Sequence, residues 1–557
     1  GDPVDIELNT AFVSGKPKVD GTLVLTAVIK ADVEQAIYTL TDVNFTLEAA
    51  GETLPAEQLK VMLTANPIVV KLNQQAIDIT GMDLSVDAKG KDLPGGAIKL
   101  TLTANPVAVD LKQQTLLVDA LNLDTLGVNI KGAIKGQSIT GDKPQFNGNM
   151  VIAEFNARDV MKQLGQEPPV TADNATLTRV GASFDLAATT SSAALGNLKA
   201  RLDDTSLNGK LAVTDFASQA ITFDLNLDEI NLDRYLPPPA EGQAKPAATA
   251  AAAPAPAPAS TTGSAKEPEL IPVETLRKLN ANGTARISRL IVNNLKVNEI
   301  VVKVKANGGK ANIKPSASLY EGKFDADVTV DASKQTPALS IGSNLNGVQI
   351  EPLLKDLQGE AKLAGVTQAK VNVTAVGNTQ TAVKKTLNGN ASFSFNNGAL
   401  VGVNIAKLIR DGMAKLNRQP VSNTNEPEKT DFSSLGGTAR ITNGVVNNND
   451  FNMASPLLRV TGAGKVDLVQ ENLDYLLKAA IVGTLQGQGG KDLSQLKGVT
   501  IPIKVSGPFS KPSYTPDLSA ALSDTVKKKA EAAVEEKQEE VKQQLQDKLK
   551  DKLKGLF

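Results

Sequence analysis

The residue types that usually carry catalysis are scarce in this chain. Its 557 residues include no His and no Cys, which excludes Ser-His-Asp and Cys-His nucleophilic catalysis and His- or Cys-ligated zinc or iron sites. The 60 Asp and Glu residues leave carboxylate-pair hydrolysis of sugars available as a third hypothesis. A sugar site would also need aromatic side chains, and only 3% of the residues are aromatic, with no Trp. We predict a protein that is not an enzyme and needs no cofactor or metal.

One glycine-rich segment has part of a phosphate-binding motif. Gly462, Gly464 and Lys465 match the end of such a loop, but Val466 replaces the required Ser or Thr and the first glycine is missing. We predict a β-turn at this position. Tyr475 is interpreted as a residue of an apolar strand face, in preference to a polar site residue.

Charge and hydropathy exclude two further classes of function. The net charge is −1, from 59 basic and 60 acidic residues, and no basic stripe with interleaved aromatics is present, so we predict no nucleic-acid partner. The sequence contains no stretch of about 18 consecutive apolar residues, so we predict no membrane span. Because the chain begins with Gly1, we expect a processed or truncated product from which an N-terminal membrane segment has been removed.

Apolar residues recur at every second position through most of the chain. This period places them on one face of a β-strand, with the polar residues on the other face. The clearest stretches supply the candidate residues that would line an apolar groove. These residues are Ile300, Val302, Val304, Val371, Val373, Leu473, Tyr475, Leu477, Ile481, Ile501 and Ile503.

Two interpretations of these apolar faces remain open from the alternation alone. They could form the closed core of a sandwich or barrel, or the inner face of an open, bent sheet that takes aliphatic ligands. Few helices are available to cover the strands. Helical spacing occurs only in short segments at 155–165, 273–279, 352–357 and 403–416, before the C-terminal tail.

The chain divides into four segments by composition. Residues 1–236 form a repetitive β segment, 237–268 a Pro/Ala-rich disordered linker or rim loop, 269–517 a second β segment, and 518–557 a helical tail. Within the first segment, Leu-Thr-Ala-Asn-Pro at 63–67 recurs 39 residues later, at 102–106 (102 − 63). This repeat predicts a unit of about three strands that stacks on its own copy.

The C-terminal tail predicts an amphipathic helix. Residues 541–557 carry five Lys and two Asp opposite apolar residues at intervals of four. The helix could lie across the sheet, mediate oligomerisation or bind a membrane surface. The candidate membrane-contact residues are Leu545, Leu549, Leu553, Leu556 and Phe557.

An ordered series of short motifs in the second β segment resembles the AsmA family. It comprises Leu-Tyr-Glu-Gly at 319–322, a glycine-containing helix entry at 398–405, Asn-Gly-Val-Val at 443–446, Gly-Ala-Gly-Lys-Val-Asp-Leu at 462–468 and the closing segment at 501–509. The likeness is clear from about 140 to 517. The long Pro/Ala segment and the missing N-terminal membrane helix depart from the family pattern.

The resemblance implies a mainly β fold, with a long bent antiparallel sheet that forms an open trough, a few short capping helices and the amphipathic C-terminal helix. It implies a periplasmic protein of Gram-negative bacteria, anchored in the inner membrane by an N-terminal segment absent from this chain. Kinship with TamB-like and bridge-like lipid-transfer proteins implies transfer of phospholipid between inner and outer membranes, in support of outer-membrane homeostasis.

Three motif glycines, Gly322, Gly444 and Gly462, are expected to allow turns. The expected partners are phospholipids, a membrane surface through the tail helix, and other envelope proteins. The alternative function is a structural or assembly factor for outer-membrane proteins that acts through sheet edges.

Overall fold

The computed structural model describes residues 2–14, 19–51, 54, 56–238, 267–416, 427–482, 499–517, 538–539 and 542. They fall into two compact units. Unit 1 comprises residues 1–246 and 274–317, and unit 2 comprises residues 247–273 and 318–557. Both units are mainly β, which confirms the predicted fold class, and the described helices are short.

Unit 1 contains the first nineteen strands, the last of which ends just past its boundary. The strands are β1 (Val4–Ser14), β2 (Val19–Asp32), β3 (Ile37–Gly51), β4 (Gln58–Ala65), β5 (Ile68–Lys71), β6 (Ala76–Ile79), β7 (Met82–Lys89), β8 (Ala97–Ala104), β9 (Val107–Asp110), β10 (Thr115–Thr125), β11 (Val128–Gln137), β12 (Gln145–Phe155), β13 (Val180–Thr189), β14 (Ala193–Leu202), β15 (Thr205–Asp215), β16 (Ala220–Asn231), β17 (Asn280–Val292), β18 (Leu295–Asn307) and β19 (Lys310–Leu319).

The 39-residue repeat corresponds to two long, interrupted strands rather than the three that the sequence predicted. β3 pairs with both β4 and β5, and these pair in turn with β7 and β6. The next copy begins with β8 and β9, which both pair with β10. Each copy of the Asn-Pro sequence lies at an interruption, where Pro supplies no N–H to the ladder.

Among the strand pairs of unit 1 whose register is described, β16 and β17 are parallel and the others are antiparallel. Ala220 lies opposite Asn280, and Asn231 lies opposite Ile291. The chain therefore leaves β16 at one rim of the sheet and enters β17 at the other. The disordered linker stays a prediction, because residues 239–266 lie outside the described residues.

Unit 2 contains ten strands in consecutive antiparallel pairs. They are β20 (Gly322–Asp331), β21 (Ala338–Gln349), β22 (Leu363–Val376), β23 (Asn388–Val401), β24 (Lys429–Thr442), β25 (Val445–Ala454), β26 (Leu458–Asp467), β27 (Asn472–Ile481), β28 (Thr500–Pro508) and β29 (Ser513–Pro516).

Each of the four short helices predicted before the tail is present. Their bounds are α1 (Ala157–Gln163), α2 (Val273–Lys278), α3 (Ile350–Gln358) and α5 (Ile405–Leu416). The sequence missed α4 (Gln380–Thr386), which begins where the Thr379 hydroxyl accepts a hydrogen bond from the Ala382 N–H at 3.2 Å. Apart from residues 538–539 and 542, the predicted tail helix lies outside the described residues.

Candidate functional site

The sheet of unit 2 has a largely apolar face, on which one row is apolar across nine strands. Residues directly opposite each other in a β-ladder share a face, so the register identifies rows that cross the sheet. One row runs from β20 to β28. Its members are Val328, Ile341, Val373, Gly389, Ile441, Val446, Val466, Leu473 and Gly507.

The adjacent row lies on the opposite face and is polar throughout, apart from one glycine. Its members are Asp327, Gly342, Asn372, Asn390, Arg440, Asn447, Lys465, Asp474 and Ser506. The two faces of this sheet are therefore chemically distinct along its whole series of strands. The polar face favours contact with water, and the apolar face favours contact with aliphatic groups.

Unit 1 has an apolar face of the same kind. One row crosses fifteen strands, from the edge strand β1 to β18, without a polar residue. Its members are Leu8, Leu25, Phe45, Leu63, Leu84, Leu102, Leu123, Ile130, Ile152, Ala182, Ala200, Leu207, Leu227, Ile287 and Ile300.

Most large side chains on these two apolar faces are only half-buried. Val302, Val304, Val371 and Val373 all keep part of their surface exposed, as do Leu473, Tyr475 and Leu477 on β27. The inward face of a sandwich would bury such residues against a second sheet. Partial exposure is what a single layer gives, with neighbouring side chains covering one another along the face.

The last predicted groove residues belong to a packed core instead. Ile481 and Ile501 are fully buried and Ile503 is 2% exposed. They share one cluster with Ile405 and Ile409 of α5. These three isoleucines therefore have almost no surface free for a ligand, and α5 covers the apolar face at this end of unit 2. Ile300 of unit 1, at 8% exposure, is also buried.

Polar contacts fix α5 in this position. The Ile405 N–H donates to the Thr430 hydroxyl at 2.9 Å, and Asn404 caps the helix by accepting from the Lys407 N–H at 2.9 Å. Lys407 also forms an ion pair with Glu428 at 2.8 Å. The start of the helix is thereby tied to the start of β24, so its apolar side faces the sheet.

One polar contact interrupts the apolar face of unit 2. The buried side chain of Asn448 accepts a hydrogen bond from the Tyr475 hydroxyl and donates to Asp450 at 2.7 Å. Burial, and then the nearby charge of Asp450, raise the pKa of Tyr475 to about 12. The Tyr475 ring also meets Phe451 edge-on, with ring centroids 6.2 Å apart. No pattern in the sequence distinguishes Asn448, which lies among three consecutive asparagines.

The segment at 462–465 lies inside strand β26, so the predicted β-turn is wrong. A Cβ on Gly464 would lie 2.5 Å from Tyr475 Cδ2, and one on Gly462 would lie 2.7 Å from Leu477 Cδ2. These glycines leave room for the side chains of β27 to lie over β26. Gly444 does occupy a turn, with φ +78°. Gly322 packs closely against Val348 instead, since a Cβ would lie 2.4 Å from its backbone N.

The described residues contain no group of three or more Asp or Glu side chains arranged to hold a metal ion. Within the same described part of the chain, no helix has both the length and the apolar content needed to traverse a bilayer. Across the described strands, the arrangement offers an extended apolar surface.

Comparison with known proteins agrees with this architecture. The model of the AsmA family matches residues 5–451. The chain belongs to the AsmA family. The match covers most of unit 1 and part of unit 2. It extends further toward the N-terminus than the resemblance from about residue 140, but it ends before the closing segment at 501–509. AsmA family membership indicates an envelope-associated role, and the family is not known as enzymatic.

A curated relative gives a more distant match. Protein AsmA of Escherichia coli (strain K12) is 20% identical over 316 residues, which are 56% of this chain and 51% of the relative. The chain thus spans about half the length of this AsmA-family relative.

Proposed function

We propose that the protein is a periplasmic scaffold that carries phospholipid acyl chains along its apolar β-face, between the inner and outer membranes. The observation that supports this most directly is the unbroken apolar row of each unit, whose large side chains remain half-exposed. Anchoring in the inner membrane by an N-terminal segment absent from this chain, and support of outer-membrane homeostasis, belong to the same proposal.

Energetics favour a passive role for the face. Burial of acyl chain is worth about 0.8 kcal/mol per CH₂, so about 15 buried CH₂ groups gain roughly 12 kcal/mol relative to water. A lipid that leaves a bilayer loses a similar amount, so the exchange is near thermoneutral. The face would lower the barrier to crossing water, and it would not set the direction of transfer.

The composition of the face suits this ligand. Aliphatic residues dominate both rows, and aromatic residues make up only 3% of the chain. Flexible acyl chains need a surface without fixed polar contacts, which Val, Leu, Ile and Ala provide. The half-buried stretch from Val371 to Val373 is a better candidate contact than Ile481 or Ile501, because α5 already covers the latter pair.

The alternative is an assembly factor for outer-membrane proteins that acts through sheet edges. It requires an unpaired edge strand, and among the described strands β1 pairs with β2 alone. It does not require an exposed apolar face, so lipid binding separates the two functions.

The test is native mass spectrometry of gently purified protein, combined with extraction and identification of bound lipid. We expect co-purified phospholipid and saturable uptake of a labelled phospholipid from vesicles. Absence of both, in protein with a normal β-type circular dichroism spectrum, would overturn the lipid proposal and leave the edge-based alternative.

A further inference from the structure

The polar face of unit 2 carries a depression in the interior of its sheet. Its volume is about 290 Å³, and it lies over β22, β23 and β24, each of which pairs with a strand on both sides. The register places its polar lining residues in two adjacent rows, with a cation at each of two opposite corners. One row is Lys370, Ser392 and Thr438, and the other is Asn372, Asn390 and Arg440.

The two cations of this depression have no acidic residue directly across on either neighbouring strand. Lys370 lies between an Asn of β21 and a Ser of β23, and Arg440 lies between an Asn of β23 and an Asn of β25. Among the described residues, neither side chain forms an ion pair or a hydrogen bond. Lys60 of unit 1, by contrast, lies directly opposite Glu48 and forms an ion pair with it at 2.9 Å. The depression therefore holds two positive charges that no described carboxylate pairs with.

Three of the other four lining residues add hydrogen-bond donors. Within the described part of the chain, the amides of Asn372 and Asn390 and the hydroxyl of Ser392 form no side-chain hydrogen bond. Thr438 differs, because its hydroxyl donates to Asp450 at 2.8 Å and its N–H donates to the same carboxylate at 2.7 Å. Asp450 does not line the depression. Two cations with amide and hydroxyl donors between them suit an anion whose oxygens accept several hydrogen bonds.

The geometry of the two rows favours a single anionic group over β23. Two strand spacings and one row separate the Cα atoms of Lys370 and Arg440, which gives about 12 Å. Their long side chains can therefore approach a group held between them from opposite sides. A phosphate monoester carries a charge of about −1.5 to −2 and three acceptor oxygens, which matches the two cations. The guanidinium of Arg440 also suits bidentate contact with phosphate.

We propose that this depression binds a soluble molecule that carries a phosphate monoester. Lys370 and Arg440 hold the phosphate from its two sides, and Asn390 and Ser392 donate to it from below. A phosphate monoester in a lipid headgroup has the same chemistry, so the test must separate the two sources. The site lies on the face opposite the apolar row, and this inference does not depend on the proposed lipid transfer.

The test is isothermal titration calorimetry of the full chain with glycerol phosphate, with glycerol as the uncharged comparison. We expect saturable binding of glycerol phosphate and no binding of glycerol. Vesicles that contain phosphatidic acid, a lipid with a phosphate monoester, form the second arm. Absence of saturable glycerol phosphate binding would overturn the proposal. Vesicle binding that requires Lys370 and Arg440, without binding of glycerol phosphate, would also overturn it, in favour of a lipid headgroup.

Charge removal at paired and unpaired cations gives the matched control. The variant Lys370→Gln with Arg440→Gln should weaken glycerol phosphate binding about tenfold or more, because both charged donors are lost. Lys60→Gln with Lys99→Gln removes the same net charge from cations that have carboxylate partners, and should leave the affinity unchanged. Equal weakening in both variants would show a response to net charge and contradict a site. Asn390→Asp adds a carboxylate between the two cations and should also weaken binding about tenfold; an unchanged affinity would place the ligand elsewhere.

Discussion

The hydroxyl of Tyr475 on β27 donates a hydrogen bond to Oδ1 of Asn448 on β25, although β26 lies between these two strands. The contact spans the gap because Gly464 occupies the intervening position of the same row and has no side chain. Asn448 is 7% exposed, so this is a buried polar contact on a largely apolar face. Oδ1 of Asn448 and the hydroxyl of Tyr475 each depend on the other for this hydrogen bond.

Tyr475→Phe should therefore destabilise unit 2 by about 1–3 kcal/mol, because Oδ1 of Asn448 loses its donor in a buried place. Urea unfolding followed by circular dichroism measures this change. A matched Tyr514→Phe variant, at an exposed position of β29, should have little effect. Equal stability of wild type and Tyr475→Phe would show that the hydrogen bond contributes nothing net.

Ionisation of Tyr475 should make the stability of the folded protein depend on pH in the alkaline range. Its pKa in the folded protein is raised to about 12, above the ordinary value of 10.0. The contribution of Tyr475 to the free energy of unfolding is complete below pH 10. It declines as the pH rises from about 10 to about 12. We expect phenolate absorbance of the folded protein to show this delayed titration. A smaller amplitude of this late titration in Tyr475→Phe would assign it, because the pKa of Tyr235 is also raised to about 12.

A charge placed on the apolar face should block lipid uptake. Val373→Asp puts a carboxylate into the row that Ile341 and Ile441 share, whereas Asn372→Asp adds the same carboxylate to the polar face. We expect uptake of labelled phospholipid to fall several-fold in the first variant only, since a desolvated charge opposes acyl-chain binding. The same pair can be made in unit 1 with Val302→Asp and Val301→Asp.

Circular dichroism of the Val373→Asp variant shows how a loss of lipid uptake is to be interpreted. A retained β spectrum with lost uptake supports a ligand surface. Unfolding would show that Val373 is a residue of an ordinary core, and equal uptake by both variants would show that this part of the face does not carry lipid.

Shortening single side chains to Ala should distinguish the end of the apolar face that α5 covers from the rest of that face. Ile481→Ala removes atoms from a fully buried cluster and should lower the free energy of unfolding by about 2–5 kcal/mol. Val373→Ala removes half-exposed methyl groups and should cost about 1 kcal/mol. Denaturant melts of the two variants provide the comparison. Equal losses would mean that α5 does not protect Ile481 as the cluster indicates.

An acid-sensitive contact in unit 1 gives a further prediction. The Asp203 carboxylate is 1% exposed and accepts hydrogen bonds from the Leu177 N–H at 2.7 Å, the Thr178 N–H at 3.0 Å and the Tyr235 hydroxyl at 2.8 Å. Burial opposes ionisation, but these donors together outweigh it and hold the pKa of Asp203 below its ordinary value.

The resulting stabilisation is present above the ordinary Asp pKa of about 4 and is lost as the pH falls through the lower pKa of the folded state. Asp203→Asn should destabilise unit 1 at pH 7 and reduce the loss of stability on acidification. Thermal melts at pH 7 and pH 3 measure both effects. An unchanged difference between the two pH values would contradict this assignment.

The C-terminal tail supplies a prediction from sequence alone. Deleting residues 541–557 removes five Lys and the apolar stripe that ends in Phe557, so binding to anionic vesicles should weaken. Vesicle sedimentation measures this, with neutral vesicles as the control. Unchanged binding to anionic vesicles would reject the membrane interpretation in favour of a helix that packs on the protein or on another copy.

The strands were predictable because alternation is a local property. Val371 and Val373 show the same period as Ile501 and Ile503, and both pairs are in strands. What covers each pair was not predictable, since α5 reaches Ile501 through a tertiary contact between residues about a hundred positions apart in the sequence.

Two other features depended on neighbours in space. The sequence predicts a turn at Gly464 because the segment lies between two strand patterns, yet the reason for that glycine is the Tyr475 side chain on the adjacent strand. The parallel pairing of β16 with β17 is set by long-range register, and the alternation of Ile221 and Phe223 is the same in parallel and antiparallel ladders.

The duplicated segment in unit 1 has a consequence for how such proteins change in length. Because each copy runs once across the sheet and once back, inserting or deleting a copy leaves every following strand with its original direction and its original inward-facing residues. Each event would alter the apolar surface by two strand spacings, about 10 Å. Duplication or deletion of one copy would thus change the extent of the apolar surface in discrete steps.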